Sequence, residues 1–536
     1  MQTAASRQQT QAKWQKAISL AELEERSKAI VKLDGKQILV LLSAGRIYAF
    51  NNRCPHEGFP LAEGTLSEGC ILTCNWHSWR FNLEDGETLV GGDTLRHYPH
   101  DIRDGDIWLD VSDPPPEALR ARALAGLREA FDEHDYERIA RELARFERAD
   151  GDPLDALTHA LEWAMDGLEF GTTHAQAAAP DWLALRSAIA SDDAAERLIP
   201  VVEIIGHLSW DVLMQKGPFP IPADEAERFD ADVFEQAIED ENEALALAQA
   251  RAGLRAGGGQ SLRASLERAS LRHYQNFGHS VIYLDKAYEL AGILGDRADA
   301  ALLLPLVRSL CQTAREDLIP EFRAYGPALA AWDSTGMDAP DAGSFRGKGV
   351  DASLKLVRAS SGQRQALYDA LMCAAADAML HYDASYREQT TKPVQENIDW
   401  LDFTHAITHL NAARKVCAHQ PELWANALLQ TGCFLGRNAK FVDWEQETSQ
   451  WSATDNDQLV DDVLASMLDH GEPLYIFPAH TLKVATALKE ELALNPDAPW
   501  KPVALAALNR FVNEPMKKKH VRRAVAQASR FVELEG

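Results

Sequence analysis

Two periods divide the chain. From about Ile30 to Val111 apolar residues come in short runs of strand length, separated by turn pairs. Ile30-Val31-Lys32-Leu33, then Asp34-Gly35, then Gln37-Ile38-Leu39-Val40-Leu41-Leu42 predicts a strand, a two-residue hairpin turn and a second strand. Ala44-Gly45, Glu68-Gly69, Asp85-Gly86 and Asp104-Gly105 repeat that turn chemistry, and Asp106-Ile107-Trp108-Leu109-Asp110-Val111 predicts a last strand. Ser112-Asp113-Pro114-Pro115-Pro116 then reads as a stiff linker. Beyond it the spacing of apolar residues becomes three and four, the period of a helix with one buried face. Ala118–Ala130, Ile139–Phe146, Leu198–Leu208, Leu302–Leu310 and Leu423–Leu429 are examples. Breaks fall at Gly257-Gly258-Gly259 and in the Gly/Asp/Pro-rich stretch from Ser334 to Gly349. The pattern predicts an α+β multidomain protein: an all-β domain over 1–113, then a large all-α helical-repeat bundle over 114–536.

Length agrees, since 536 residues exceed what one compact core organises. Charge narrows the partners. With 81 acidic against 54 basic residues the formal net charge is −27, which argues against nucleic acid or an anionic membrane. The polar start MQTAASRQQTQAKWQ has no apolar stretch behind it, and Ala301–Val307 is interrupted by Pro305 and then Arg308, so neither a secretory signal nor a membrane span is expected. Seven cysteines is an odd and sparse set, better suited to thiol chemistry in a reducing compartment than to disulfides. The chain reads as cytoplasmic.

Candidate chemistry begins with Cys54-Pro55-His56, followed after 17 intervening residues by Cys74-Asn75-Trp76-His77. Two thiolates and two neutral imidazoles on tight loops can hold two irons, cysteines on one and histidines on the other. Structural zinc is the competing use of a Cys₂His₂ set, but a Cys-x-His first pair is unusual for zinc and β-hairpins surround it. Cys70 reads as a strand residue. Over residues 13 to 112 the sequence resembles the Rieske [2Fe–2S] family, including Trp79-Arg80-Phe81 and the Asp85-Gly86 turn. The resemblance implies that Cys54, His56, Cys74 and His77 bind the cluster. Glu57-Gly58-Phe59 and Asn75 stand where respiratory Rieske proteins carry a second cysteine pair, so this domain is similar to the soluble ferredoxin and oxygenase type.

A cluster that moves one electron needs an acceptor. Asp402-Phe403-Thr404-His405-Ala406-Ile407-Thr408-His409 comes close to the iron motif of ring-hydroxylating oxygenases, yet its histidines are four apart and no β-rich fold is expected around it. A different pattern recurs: Thr158-His159-Ala160-Leu161, Gly278-His279-Ser280-Val281, Thr404-His405-Ala406-Ile407 and Ala479-His480-Thr481-Leu482. Leu157, Phe277 and Phe403 stand two residues before three of these histidines. Four degenerate repeats, each presenting one histidine to a bundle axis, would build a metal site of imidazoles suited to iron. The alternative is four hydrogen-bonded core histidines. From about 150 to 500 these helices resemble the questin oxidase family of iron oxygenases, which bind mononuclear iron through histidines and a carboxylated lysine. The resemblance implies His159, His279, His405 and His480 as ligands, with Lys483 one turn after His480 as the carboxylated lysine. His174, His207 (with Glu203 one turn before it), His273 and His409 are read as structural or supporting. No Glu-x-x-His pair points to a di-iron carboxylate site.

The sequence therefore predicts a Rieske non-haem iron oxidoreductase, an oxygenase acting on a small organic molecule, aromatic or polycyclic, with O₂. A reductase or ferredoxin would supply electrons to the [2Fe–2S] cluster, and the cluster would feed a mononuclear non-haem iron. Neither nucleic acid nor membrane is an expected partner, and the reading leaves room for a homo-oligomer. The alternative is an electron-transfer or redox-sensing protein with a helical scaffold.

Overall fold

A computed structural model describes residues 12–67, 70–190, 193–453 and 458–535. The predicted turn Glu68-Gly69 and the first residues of the polar N-terminal stretch lie outside them. Two compact units emerge, one of residues up to Gly126 with Arg148–Gly151, the other of Leu127–Glu147 with Asp152 onward. The division falls inside the helix Pro116–Glu133, whereas the prolines predicted it at 113/114.

Among the described residues the first unit has ten strands: β1 (Trp14–Ser19), β2 (Lys28–Leu33), β3 (Lys36–Ser43), β4 (Arg46–Asn51), β5 (Thr65–Ser67), β6 (Ile71–Thr73), β7 (Arg80–Asn82), β8 (Thr88–Val90), β9 (His100–Arg103) and β10 (Asp106–Asp110). They form three antiparallel sheets, ordered β1-β10-β9, β2-β3-β4 and β5-β6-β7-β8. Asp34 and Gly35, at φ 50° and 74°, make the left-handed pair that a right-twisted two-residue hairpin needs, and Ala44-Gly45 and Asp104-Gly105 do the same.

Strand β3 explains why its sequence is a continuous apolar run. Ile38 and Val40 pack into one core with Ile18, Leu23, Ile107 and Leu109. Leu39 and Leu41 point the other way, into a second core with Phe50, Leu72 and Phe81 that also contains Cys54 and Cys74. Pleat alternation thus ties the frame of the domain to the floor of its cysteine loops. Leu39→Ala would open a cavity under those loops at about 2–5 kcal/mol.

The second unit is helical. The helices used below are α1 (Pro153–Met165), α2 (His174–Ala188), α3 (Ala194–Leu213), α4 (His279–Leu294), α5 (Trp400–His419) and α6 (Ile476–Leu494). Four of them close a ring: α4 packs on α2 and α5, α5 on α6, and α6 on α2. Helix α1 lies outside the ring, against α3 and the helix Asp299–Gln312. The predicted breaks are real: helices Glu243–Gly257 and Gln260–Arg272 meet at the triple glycine, and 334–349 holds only the short turn Ala342–Phe345. Among the described residues no helix is long and apolar enough to cross a membrane. All seven cysteines are free.

Candidate metal centres

The two cysteine loops share one backbone design. Cys54 N–H donates to Phe59 O (2.8 Å) and Gly58 N–H to Cys54 O (2.8 Å), while Cys74 N–H donates to Trp79 O (2.8 Å) and Ser78 N–H to Cys74 O (2.9 Å). The fifth residue of each loop, Gly58 or Ser78, is left-handed at φ 75° and 61°. These equivalent turns bring both thiols together, and burial pushes the Cys54 thiol up to about 11. The rings of His56 and His77 meet edge to face at 4.7 Å, and His56 stacks on Trp79 at 4.8 Å. His56 Nδ1 is buried and has no hydrogen-bond partner among the described residues, which leaves that nitrogen free to act as a ligand. Both Nε2 atoms face Glu57 at 3.8 Å. Paired thiols with an orphaned imidazole nitrogen fit a [2Fe–2S] cluster held by Cys54, His56, Cys74 and His77. Cys70 is not among them. It sits in a left-handed turn before β6, its sulfur 3.6 Å from the Tyr48 and Ser43 hydroxyls.

A second cluster stands at the helix ring. One ligand-capable atom from each of His174, His279, His405 and His480 lies within 4.8 Å of all the others. Caps fix where the helices begin and hence where two of these residues sit. Thr173 and Gln176 form a capping box that makes His174 the first residue of α2, and Asp399 with Asp402 does the same for the start of α5. His279 opens α4 behind Gly278, whose φ is 79° and where a Cβ would come within 2.8 Å of the Phe434 ring.

Tautomers follow from the partners. His279 Nδ1–H donates to Asn276 O at 2.6 Å and His480 Nδ1–H to Ile476 O at 2.7 Å, and His405 bonds the Leu401 carbonyl. A carbonyl only accepts, so these Nδ1 atoms carry the protons and each Nε2 is a bare lone pair. Yet His405 Nε2 and His480 Nε2 face each other at 3.1 Å, where neither can donate. His279 Nε2 meets His174 Nε2 at 3.1 Å, with His174 Nδ1 3.3 Å from the Tyr283 hydroxyl. Burial, then the neighbouring Lys483 charge, pushes His279 down to about 4. His174, His405 and His480 are depressed further, also chiefly by burial. Neutral imidazoles with lone pairs converging, each steadied at its other nitrogen, are a fitting set for a divalent transition metal.

Lys483 is 2% exposed, and its Nζ has no hydrogen-bond partner. Burial lowers it to about 8, with Asp181 opposing. Asp181 itself is held by Lys286 at 2.7 Å. Beside the histidines lies a cavity of about 480 Å³, reached by His174 and Tyr283 and walled by Phe170, Trp210 and Tyr475. Asp211 is the single carboxylate among its lining residues, and no lysine or arginine lines it. Burial raises Asp211 to about 6 and holds the adjoining His207 down at about 3.

The expected set is thus brought together at His279, His405 and His480, with Lys483 one turn away, but not at His159. That residue points outward from α1: its side chain is 44% exposed and its Nδ1 pairs with Glu162 at 3.0 Å. The Thr-His-Ala-Leu motif is matched there, but the buried face of α1 belongs to Leu157, Ala160 and Leu161. His174 takes the fourth place. A histidine directly after a capping threonine, with Gln176 completing the box, was the available signal. His273 is an ion-pair residue between Asp317 and Glu239, and His409 reaches the Ala427 carbonyl. Asp402 caps its own helix and pairs with Arg437 at 3.3 Å.

Residues 13–96 match the family described as the Rieske [2Fe–2S] domain. The 3-phenylpropionate/cinnamic acid dioxygenase ferredoxin subunit of Escherichia coli (strain K12) is 30% identical over 89 residues, 16% of this chain and 84% of that protein. The ferredoxin component of the alkene monooxygenase system of Xanthobacter autotrophicus is 29% identical over 82 residues, 15% of this chain and 67% of that one. Among solved structures, the ferredoxin of carbazole 1,9a-dioxygenase from Nocardioides aromaticivorans IC177 is similar, at 21% identity and a TM-score of 0.18, covering 19% of this chain and 100% of that one. The loop geometry, the family match and the 30% identical ferredoxin subunit agree on the cofactor: through residues 13–96 the chain belongs to the Rieske [2Fe–2S] family.

Proposed function

We propose that this protein is a Rieske non-haem iron oxygenase. Cys54, His56, Cys74 and His77 would hold the [2Fe–2S] cluster that receives electrons from an external reductase or ferredoxin, and His174, His279, His405 and His480 would hold the iron to which they are passed. The observation that carries the reading is the pair of facing lone pairs, His405 Nε2 and His480 Nε2 at 3.1 Å, inside a group of four neutral imidazoles. Two unprotonated nitrogens at that distance repel, and a shared cation removes the repulsion. When bound, the cluster supplies single electrons and the iron supplies activation of O₂.

The chain's own groups have separable tasks. The carbonyls of Asn276, Leu401 and Ile476 fix the imidazole tautomers and keep each Nε2 aimed inward. Burial keeps all four rings unprotonated, in the ligating form. Lys483 offers a buried amine without a partner, which supports the carboxylated role. Its neutral nitrogen would add to CO₂, losing one proton and gaining a carbamate oxygen for the metal. The 480 Å³ cavity at His174 is of a size for a small organic substrate, and its Phe170, Trp210 and Tyr475 walls suit an aromatic one. With no lysine or arginine among its described lining residues and with His174 and His207 held neutral, the cavity favours neutral molecules over carboxylates or phosphates.

Iron content tests the reading. Anaerobically purified protein should hold about three irons per chain, two in the cluster and one at the histidines. His405→Ala should bring the content to two and abolish reductant-dependent O₂ uptake while the Rieske EPR signal persists. Two irons in the unaltered protein, with no other metal at the histidines, would leave an electron carrier or redox sensor on a helical scaffold.

A further inference from the structure

Glu57 follows a cluster ligand directly and occupies a position that no ligand role requires. Its carboxylate oxygens lie 3.8 Å from both His56 Nε2 and His77 Nε2, so one side chain spans the two imidazoles on their outer edge. The distance exceeds a direct hydrogen bond, and the coupling is through space. His56, Glu57 and His77 place one ligand-capable atom each within 4.8 Å of the others. Nearby cations do not cancel the charge: Arg53 reaches toward the Gly58 carbonyl at 3.3 Å, and Glu57 has no Lys or Arg ion pair among the described residues. The stacked rings of Phe59 and Trp76, 4.1 Å apart, flank the same edge.

We propose that Glu57 sets the reduction potential of the cluster, its carboxylate lowering the potential by bearing on both histidine ligands at once. Reduction adds one electron to the cluster, and a negative charge at the ligands' outer nitrogens opposes that addition. The same charge stabilises positive character on the two imidazole N–H groups, which makes the histidines stronger donors to the oxidised iron. Both effects have one sign. They make the reduced cluster a stronger reductant toward whatever follows it. Because the side chain is 49% exposed, the effect is that of a charge in a largely aqueous medium. The added electron sits beyond the imidazole rings, at roughly twice the 3.8 Å carboxylate–nitrogen distance, and unit charges about 8 Å apart in water correspond to about twofold in an equilibrium constant.

The experiment is a mediator-poised redox titration of the full chain, read by the EPR signal of the reduced cluster and by visible absorbance. Glu57→Gln should shift the reduction equilibrium about twofold toward the reduced form, about 20 mV upward at 59 mV per tenfold for one electron. Glu57→Lys should move it further in the same direction, and Glu57→Asp, which keeps the charge, should stay nearer the parent. If Glu57→Gln holds no cluster, the comparison of Glu57→Lys with Glu57→Asp reads the same sign. An unchanged midpoint for both Gln and Lys with the cluster intact would overturn the proposal. Equal shifts for Gln and Asp would also overturn it, since shape and not charge would then be responsible.

Discussion

The two histidine-bearing sites are built on opposite principles. The cluster loops keep each cysteine within three residues of its histidine and repeat one turn, with the same carbonyl and amide bonds and the same left-handed fifth residue. Their geometry is local, so spacing in the sequence carries it. The helix ring gathers His174, His279, His405 and His480 from four separate helices, and only packing decides which histidine arrives. Short-range design yields a motif; long-range assembly yields a constellation without one.

The largest test of that contrast is to remove one ligand from each site. Cys74→Ser should erase the Rieske EPR signal and leave a metal at the four histidines. His480→Ala should do the reverse, with O₂-dependent turnover down by more than about 100-fold, the scale on which loss of a group acting in chemistry is felt. Metal analysis and EPR on both variants check this, and loss of both metals from either one would break the contrast.

Next comes the scaffold. Lys286→Ala would strand the Asp181 carboxylate, whose side chain is fully buried, and should destabilise the helical unit by about 3–5 kcal/mol in chemical denaturation. The cluster's EPR signal should remain, because its loops are self-supporting.

Acid should separate the two regions more gently. His207 is held near 3 against an ordinary 6.5 by burial, so the folded helical unit binds fewer protons than the unfolded chain between those values. Its stabilising contribution is complete above pH 6.5 and declines as pH falls toward 3, at about 1.4 kcal/mol per pH unit. The four ring histidines shift in the same direction for the same cause. Buried Asp211, raised to about 6, and Asp181, raised to about 7, bind protons over the same range with the opposite sign, so the test is a difference: the stability advantage of metal-free protein over a His207→Gln variant should shrink steadily between pH 6.5 and 5, and a constant difference would contradict the burial of this ring.

The smallest effect belongs to His159→Ala. An exposed side chain paired with Glu162 and stacked loosely on Trp163 should cost no more than about 0.5 kcal/mol, with metal content unchanged.

These outcomes bear on what the sequence could show. The hairpins, the division into β and α halves and the four cluster residues were legible because period, turn chemistry and short spacing each encode them. Strand β3 was legible even in its two-sided burial, as an unbroken apolar run. The ring was legible in part: the recurring motif named His279, His405 and His480, which meet there, but not their fourth partner. The motif around His159 is nearly that around His405, with Leu161 where Ile407 stands, and the difference lies in which face α1 turns inward, set by Leu157 and Leu161 against α3. His174 was hidden because its place comes from a cap and not from a helical period. The cavity walls, drawn from distant segments, had no signature at all.

Ring closure also has a consequence for synthesis. Each ring helix packs on the next one along the chain, except that α6 must return to α2. A growing chain emerges at about 5–20 residues per second, so His174 waits on the order of tens of seconds before His480 exists. For the last 75 residues of that interval three imidazoles stand together without the fourth, while the Rieske loops can finish early. The four-histidine group is thus complete only late in translation, and a chain cut short before Ile476 would keep its cysteine loops and lack the fourth imidazole of the ring.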